Sequence, residues 1–296
     1  MINEEILIKR LSLIKYLYKI GIEQANQFET LAGFSILSFH DSIEMFLKLV
    51  SEHKNIKSEK LNFIEYWSKI PDLTLIESMR NLNTRRVNIK HKGIFPSKSD
   101  IDICKINTTE FFEENTKKQF NIVFDEISLS SLISYENVRN QIVKAENELS
   151  QNSLKNSLEF SAIAFYELIK TYEDSKSIFF QNSPFLVGQK FKSRKSRFNS
   201  DDSALNRFVE EVEKNISGIQ EDFKILSLGI DFKKYTKFKF LTPDVSYYTS
   251  KLEYSPIFYK KTILNKGNCE YCINFVIDSS LKLLEFDYDI TELIDN

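Results

Sequence analysis

Seven glycines and five prolines in 296 residues leave this chain few places to reverse direction tightly. A sheet-rich fold needs many such turns, so their scarcity favours long helices joined by polar loops. The apolar spacing points the same way. Residues 4–24 place Leu7, Leu11, Ile14, Leu17 and Tyr18 on one stripe, and residues 29–52 do so with Leu31, Phe34, Leu37, Ile43, Phe46, Leu47 and Val50. A third helix is expected over residues 73–92, following Pro71, and a fourth over 109–129 with weaker periodicity.

The second half reads similarly. Helices are expected over 131–149 and 151–173, the latter with Leu154, Leu158, Ala162, Phe165, Tyr166 and Ile169 on one stripe, then over 204–228 and 269–284. Phe238, Phe240, Val245 and Tyr247 suit a small β hairpin within 232–250. The expected fold is therefore all-α, as two related up-and-down helical bundles, residues 1–130 and 131–296, with a small hairpin in the second. A weak internal repeat supports the relation: Val87 to His91 is echoed by Ile230 to Lys234, with Gly229 where Arg86 would align.

A hydrophobic fraction of 42% is enough for a sizeable core. The net charge of -2 makes the chain no polycation, so any contact with nucleic acid must come from a local patch. Cys104, Cys269 and Cys272 are too few for a disulfide framework and suit a reducing, cytoplasmic compartment. No apolar run approaches the ~20 residues of a membrane span, so no membrane association is expected. Cys269 and Cys272 have the spacing of half a zinc site, but no nearby His or Cys completes it, and both are expected as buried thiols. No phosphate-binding glycine loop, Ser/His/Asp set or carboxylate pair stands out, so neither a metal nor a cofactor is expected.

The chemistry concentrates in Arg85, Arg86, Val87, Asn88, Ile89, Lys90, His91 and Lys92, closed by Gly93 and Pro96. Gly after an apolar-periodic run marks a helix C-terminus, so the cluster sits at the end of the third helix. RNA cleavage needs a base for the 2′-hydroxyl proton, cationic donors for the developing phosphorane charge and an acid for the leaving 5′-oxygen. Histidine can be base or acid, and arginine offers a planar fork of donors. Arg86 and His91 fit these roles, with Asn88, Lys90 and Lys92 in support. A five-residue step turns about 140° on a helix, so unless the helix ends near Asn88 the geometry favours a site at a dimer or pseudo-dimer interface, completed by a second copy or by the chain's own second half.

This region resembles the HEPN superfamily, helical-bundle proteins of toxins, antiviral defence and RNA processing, whose motif is Arg, four to six residues, His. Arg86 to His91 matches with four intervening residues and Arg85 to His91 with five. The Lys90, His91, Lys92, Gly93 context is similar too, as is the upstream segment 39–48, where Glu44 matches the acidic position of the family's second helix. Val87 follows Arg86 where the family usually has a polar residue, whereas Arg85 is followed by Arg86, so both arginines stand as candidates. The resemblance covers about residues 1–130. It implies a metal-independent endoribonuclease or toxin of bacterial antiviral defence, acting on RNA as a homodimer or larger homo-oligomer, with an antitoxin or defence-complex protein as a further partner. The alternative it implies is a non-catalytic RNA- or protein-binding assembly module.

Other charged features have plainer expectations. The basic run Lys190, Lys192, Arg194, Lys195 and Arg197, interleaved with Phe191 and Phe198, is a surface loop whose composition suits RNA. His40 and Glu44 lie one helical turn apart, close enough for a hydrogen bond that would orient the imidazole or raise its pKa. His53 is expected to be solvated.

Overall fold

The computed structural model describes residues 2–177, 183–188, 203–259, 263–285 and 287–289. It is mostly helical, with one two-stranded antiparallel sheet among the described residues. Contacts divide the chain into two compact units, Met1–Leu132 and Ile133–Asn296.

The first unit contains α1 (Glu4–Ala25), the short α2 (Glu29–Ala32), α3 (Ser35–His53), the short α4 (Tyr66–Lys69), α5 (Ile76–Lys92) and α6 (Lys98–Phe120). α3 lies centrally and packs on α1, α5 and α6. The apolar faces read from the sequence meet here: Leu11, Ile14, Phe39, Ile43, Phe46, Leu47, Phe111 and Phe112 are all buried. α1 and α3 approach closely at Gly21, where a Cβ would fall 2.6 Å from the Phe39 ring.

The expected helix over 29–52 is divided by Gly33 and Phe34. A Cβ on Gly33 would meet the Phe95 ring at 2.6 Å, so the division admits the chain that follows α5. The fourth helix lies roughly two to three turns earlier than its weak periodicity suggests: it runs Lys98–Phe120, not 109–129. Its start is fixed by a capping box between Ser97 and Asp100, and Asn121 ends it in the left-handed region at φ 58°. Its inner face carries Thr108, Asn115, Thr116 and Gln119, which blurs the apolar period. Two of them are built into the fold: the Asn115 amide donates to Thr74 Oγ1 and Phe111 O, and the Gln119 amide to Pro71 O.

The second unit contains α7 (Glu136–Ser150), α8 (Leu154–Ser175), α9 (Ser203–Ser227), α10 (Phe232–Leu241), β1 (Asp244–Tyr248), β2 (Glu253–Ile257) and α11 (Lys266–Leu283). α8 packs on α7 and α11, with the rings of Phe165, Phe238 and Phe275 packed at tilted angles in the core. Cys269 and Cys272 are fully buried, as expected. The hairpin lies over 244–257, with Ser246 opposite Ser255, and not over 232–250. Residues 232–241 are helical because Asp231 caps them and Tyr235, Phe238 and Leu241 recur at helical spacing on a buried face. This also undoes the echo between Val87–His91 and Ile230–Lys234: the first stretch ends a helix, whereas the second begins one.

No described helix is long and apolar enough to cross a membrane. The basic run Lys190, Lys192, Arg194, Lys195 and Arg197 lies outside the described residues.

Candidate functional site

α5 carries the arginine and histidine cluster, and its beginning is held firmly. Leu75, just before it, adopts a left-handed conformation at φ 61°, a costly state for a branched side chain. The preceding Thr74 is gripped on three atoms: its N–H donates to Asn115 Oδ1, its hydroxyl accepts from the Asn115 amide, and its carbonyl accepts from Trp67 Nε1 at 2.8 Å. The other end is closed by Gly93 at φ 64°, with the Gly93 and Ile94 N–H groups returning to the Ile89 and Asn88 carbonyls. Lys90, His91 and Lys92 occupy the last turn, where cations complement the helix dipole.

The two adjacent arginines have different surroundings. Arg85 Nη2 is 2.5 Å from Asp100 Oδ1, which ties α5 to the capping box of α6 and holds the Asp100 carboxyl below the usual range. Arg86 has no such carboxylate among the described residues. It is half-buried, and its Nε is shielded from solvent without a hydrogen-bond partner.

Arg86 faces a polar cluster on α3. His40 is 2% exposed, stacks on Phe63 at 4.2 Å, and donates through Nε2 to Asn83 Oδ1 at 3.1 Å. Its Nδ1 lies 3.5 Å from Asp41 and 3.8 Å from Glu44, with no hydrogen bond. The expected hydrogen bond to Glu44 is therefore not made, and the expected rise in pKa is reversed. Burial, then the charge of Arg86, push the imidazole below its ordinary value, outweighing Glu44 and Asp41. Glu44 accepts from Lys48 at 2.7 Å. Burial alone would raise its pKa, but Lys48, with His40 and Arg86, lowers it.

His40, Asp41 and Glu44 bring three ligand atoms within 4.8 Å of one another. A divalent cation there would meet the charges of Lys48 and Arg86, so the cluster is a poor cation site. His91, Lys90 and Lys92 are exposed and Asn88 is half-buried. α5 stays helical through Lys92, so Arg86 and His91 diverge by about 140° and do not converge within one copy. His53 is half-buried against the Phe120 ring at 5.3 Å, which corrects the expectation of a solvated side chain.

Sequence reasoning passes over Asn83. It lies three residues before Arg86, so helical spacing alone puts both on one face, and that spacing is the signal that could find it. In the second unit, Phe165, Tyr235, Phe238, Lys224 and Lys239 line a cavity of about 290 Å³. Lys224 is paired with Glu173 at 3.0 Å, so the cavity has no uncompensated charge from that residue. No protein-family model, curated protein or solved structure matches the chain.

The His40 environment gives one measurable consequence. The unfolded chain takes up a proton near the ordinary value of 6.5, whereas folded His40 does so only at lower pH. The unfolded state then binds more protons, so this residue costs stability as pH falls through that value. His40→Gln is expected to reduce the loss of urea resistance between about pH 7.5 and about pH 5.5. Equal losses in both proteins would refute it.

Proposed function

We propose that the first unit is a HEPN-like bundle and that the chain is a metal-independent endoribonuclease or toxin of bacterial antiviral defence, acting in the cytoplasm. The observation that carries this reading is the contrast between the two arginines. Arg85 is engaged by Asp100, while Arg86, among the described residues, keeps its guanidinium without an ion pair at the same helix end as an exposed His91. A phosphate supplies the partner that Arg86 lacks.

In the proposed reaction the RNA 2′-hydroxyl oxygen attacks phosphorus and the bond to the 5′-oxygen breaks, leaving a 2′,3′-cyclic phosphate and a 5′-hydroxyl. His91 serves as base or acid, and Arg86 holds the phosphorane oxygens. Lys90 and Lys92 draw the RNA backbone, Asn88 offers a hydrogen bond, and Glu44 with His40 and Asn83 positions Arg86. Because Arg86 and His91 diverge on one helix, the reading requires a homodimer that brings an Arg86 and a His91 to one phosphate. An antitoxin or defence-complex protein would act by covering that surface.

The experiment is incubation of the purified chain with RNA in excess EDTA. Cleavage ending in cyclic phosphate, lost in His91→Ala, is the expected result. RNA that is bound but left intact, with affinity unchanged in His91→Ala, would instead establish the binding-module alternative.

A further inference from the structure

α9 presents two faces of different character. On its C-terminal half Ile225 and Leu228, the latter just past the helix end, are buried in the second unit. Roughly 160° around the axis runs a second apolar stripe that the described residues leave open. It holds Phe208 (62% exposed), Ile219 (68%), Phe223 (48%) and Leu226 (52%), with the half-buried Val212 and Ile216 between them. At 100° per residue these side chains fall within an arc of about 80°, a narrow seam on a straight helix.

The order along that seam is self-complementary. From a midpoint between Asn215 and Ile216, Val212 and Ile219 lie equally far out, as do Phe208 and Phe223. Leu205 and Leu226 extend the same symmetry. Two-fold contact between identical surfaces requires residue i to meet j while j meets i, and this spacing supplies that for two antiparallel helices. Exchange of the dyad would set Phe208 of each copy against Phe223 of the other.

We propose that this face of α9 pairs with the same face of a second copy of the chain, as an antiparallel two-helix seam centred between Asn215 and Ile216. The exposed part of the stripe amounts to roughly 500 Å² per copy, or about 1,000 Å² for the pair, which reaches the lower edge of specific interfaces. The seam is apolar, so salt does not dissolve it. At its rim Glu211 flanks Asp222 of the other copy, and Lys239, 3.9 Å from Asp222 within the same chain, offsets that like charge. This pairing is independent of the ribonuclease reading.

The test uses the full chain at tens of micromolar. Light scattering on a sizing column is expected to give twice the chain mass, falling towards that of one chain in Phe208→Asp with Phe223→Asp. Asn215→Cys, beside the dyad, is expected to cross-link to itself under mild oxidation, while Lys214→Cys, which points away, is not; Cys104, Cys269 and Cys272 are buried and do not compete. A monomeric native chain overturns the proposal. So does a dimer in which Asn215→Cys fails to cross-link, since that dimer forms elsewhere; this arm holds even if the aspartate variant does not fold.

Discussion

On the proposed ribonuclease reading, an Arg86→Ala chain is expected to cleave RNA about 10²–10³-fold more slowly than the native chain, the usual loss when one donor to developing negative charge is removed. Arg85→Ala is expected to stay within about threefold of native activity, and to lose about 1 kcal/mol of stability with the partly exposed pair to Asp100. The contrast follows from what surrounds two chemically identical side chains. Arg85 is neutralised on its own α6 contact, while Arg86 lies beside the Glu44, His40 and Asn83 group with its Nε uncommitted. Arg86→Lys should fall between, because an ammonium keeps the charge and loses the two-pronged geometry. Initial rates on single-stranded RNA in EDTA, with circular dichroism to verify folding, decide the matter. Equal losses in the two alanine variants would sink the assignment of Arg86.

Phe112→Ala is expected to cost about 3–5 kcal/mol, a large share of the roughly 5–15 kcal/mol typical of a folded domain. Phe112 is fully buried, stacked on Phe124 at 4.7 Å with an interplanar angle of 8°. Tyr18, Phe46 and Phe111 meet it edge to face at 5.4–5.7 Å. The ring joins α1, α3 and α6 with the chain after α6, so the surrounding helices cannot close over the void without separating those contacts. Urea unfolding followed by circular dichroism measures the loss. A cost under about 1 kcal/mol would mean that the site collapses freely.

Strongly periodic stretches are legible in the sequence alone. Leu7, Leu11 and Ile14, or Phe39, Ile43 and Phe46, repeat at helical spacing and are buried as that spacing requires. Spacing misleads where the inner face is not apolar. Asn115 and Gln119 look like surface residues in sequence, yet their amides satisfy backbone and side-chain groups around Thr74 and Pro71, so the apolar period places α6 too late. It misleads again over 232–241, where phenylalanines two apart imitate a strand although the buried set is Tyr235, Phe238 and Leu241. The self-complementary stripe of α9 is present in the order of its residues, but nothing in that order tells an open face from a buried one.

By itself the sequence determined that helices dominate, which faces of the most periodic ones turn inward, and that Arg85, Arg86 and His91 share one glycine-terminated helix end. All of these follow from local spacing and from the conformational freedom of Gly93. Only tertiary structure decided that Arg85 is engaged and Arg86, among the described residues, is not, that burial and the charge of Arg86 hold His40 below its ordinary pKa, and that Arg86 and His91 part company within one copy. Adjacent residues on a helix point about 100° apart, so their fates depend on what packs against each face, and Asp100, His40 and Glu44 are brought there by other segments of the chain, α6 and α3.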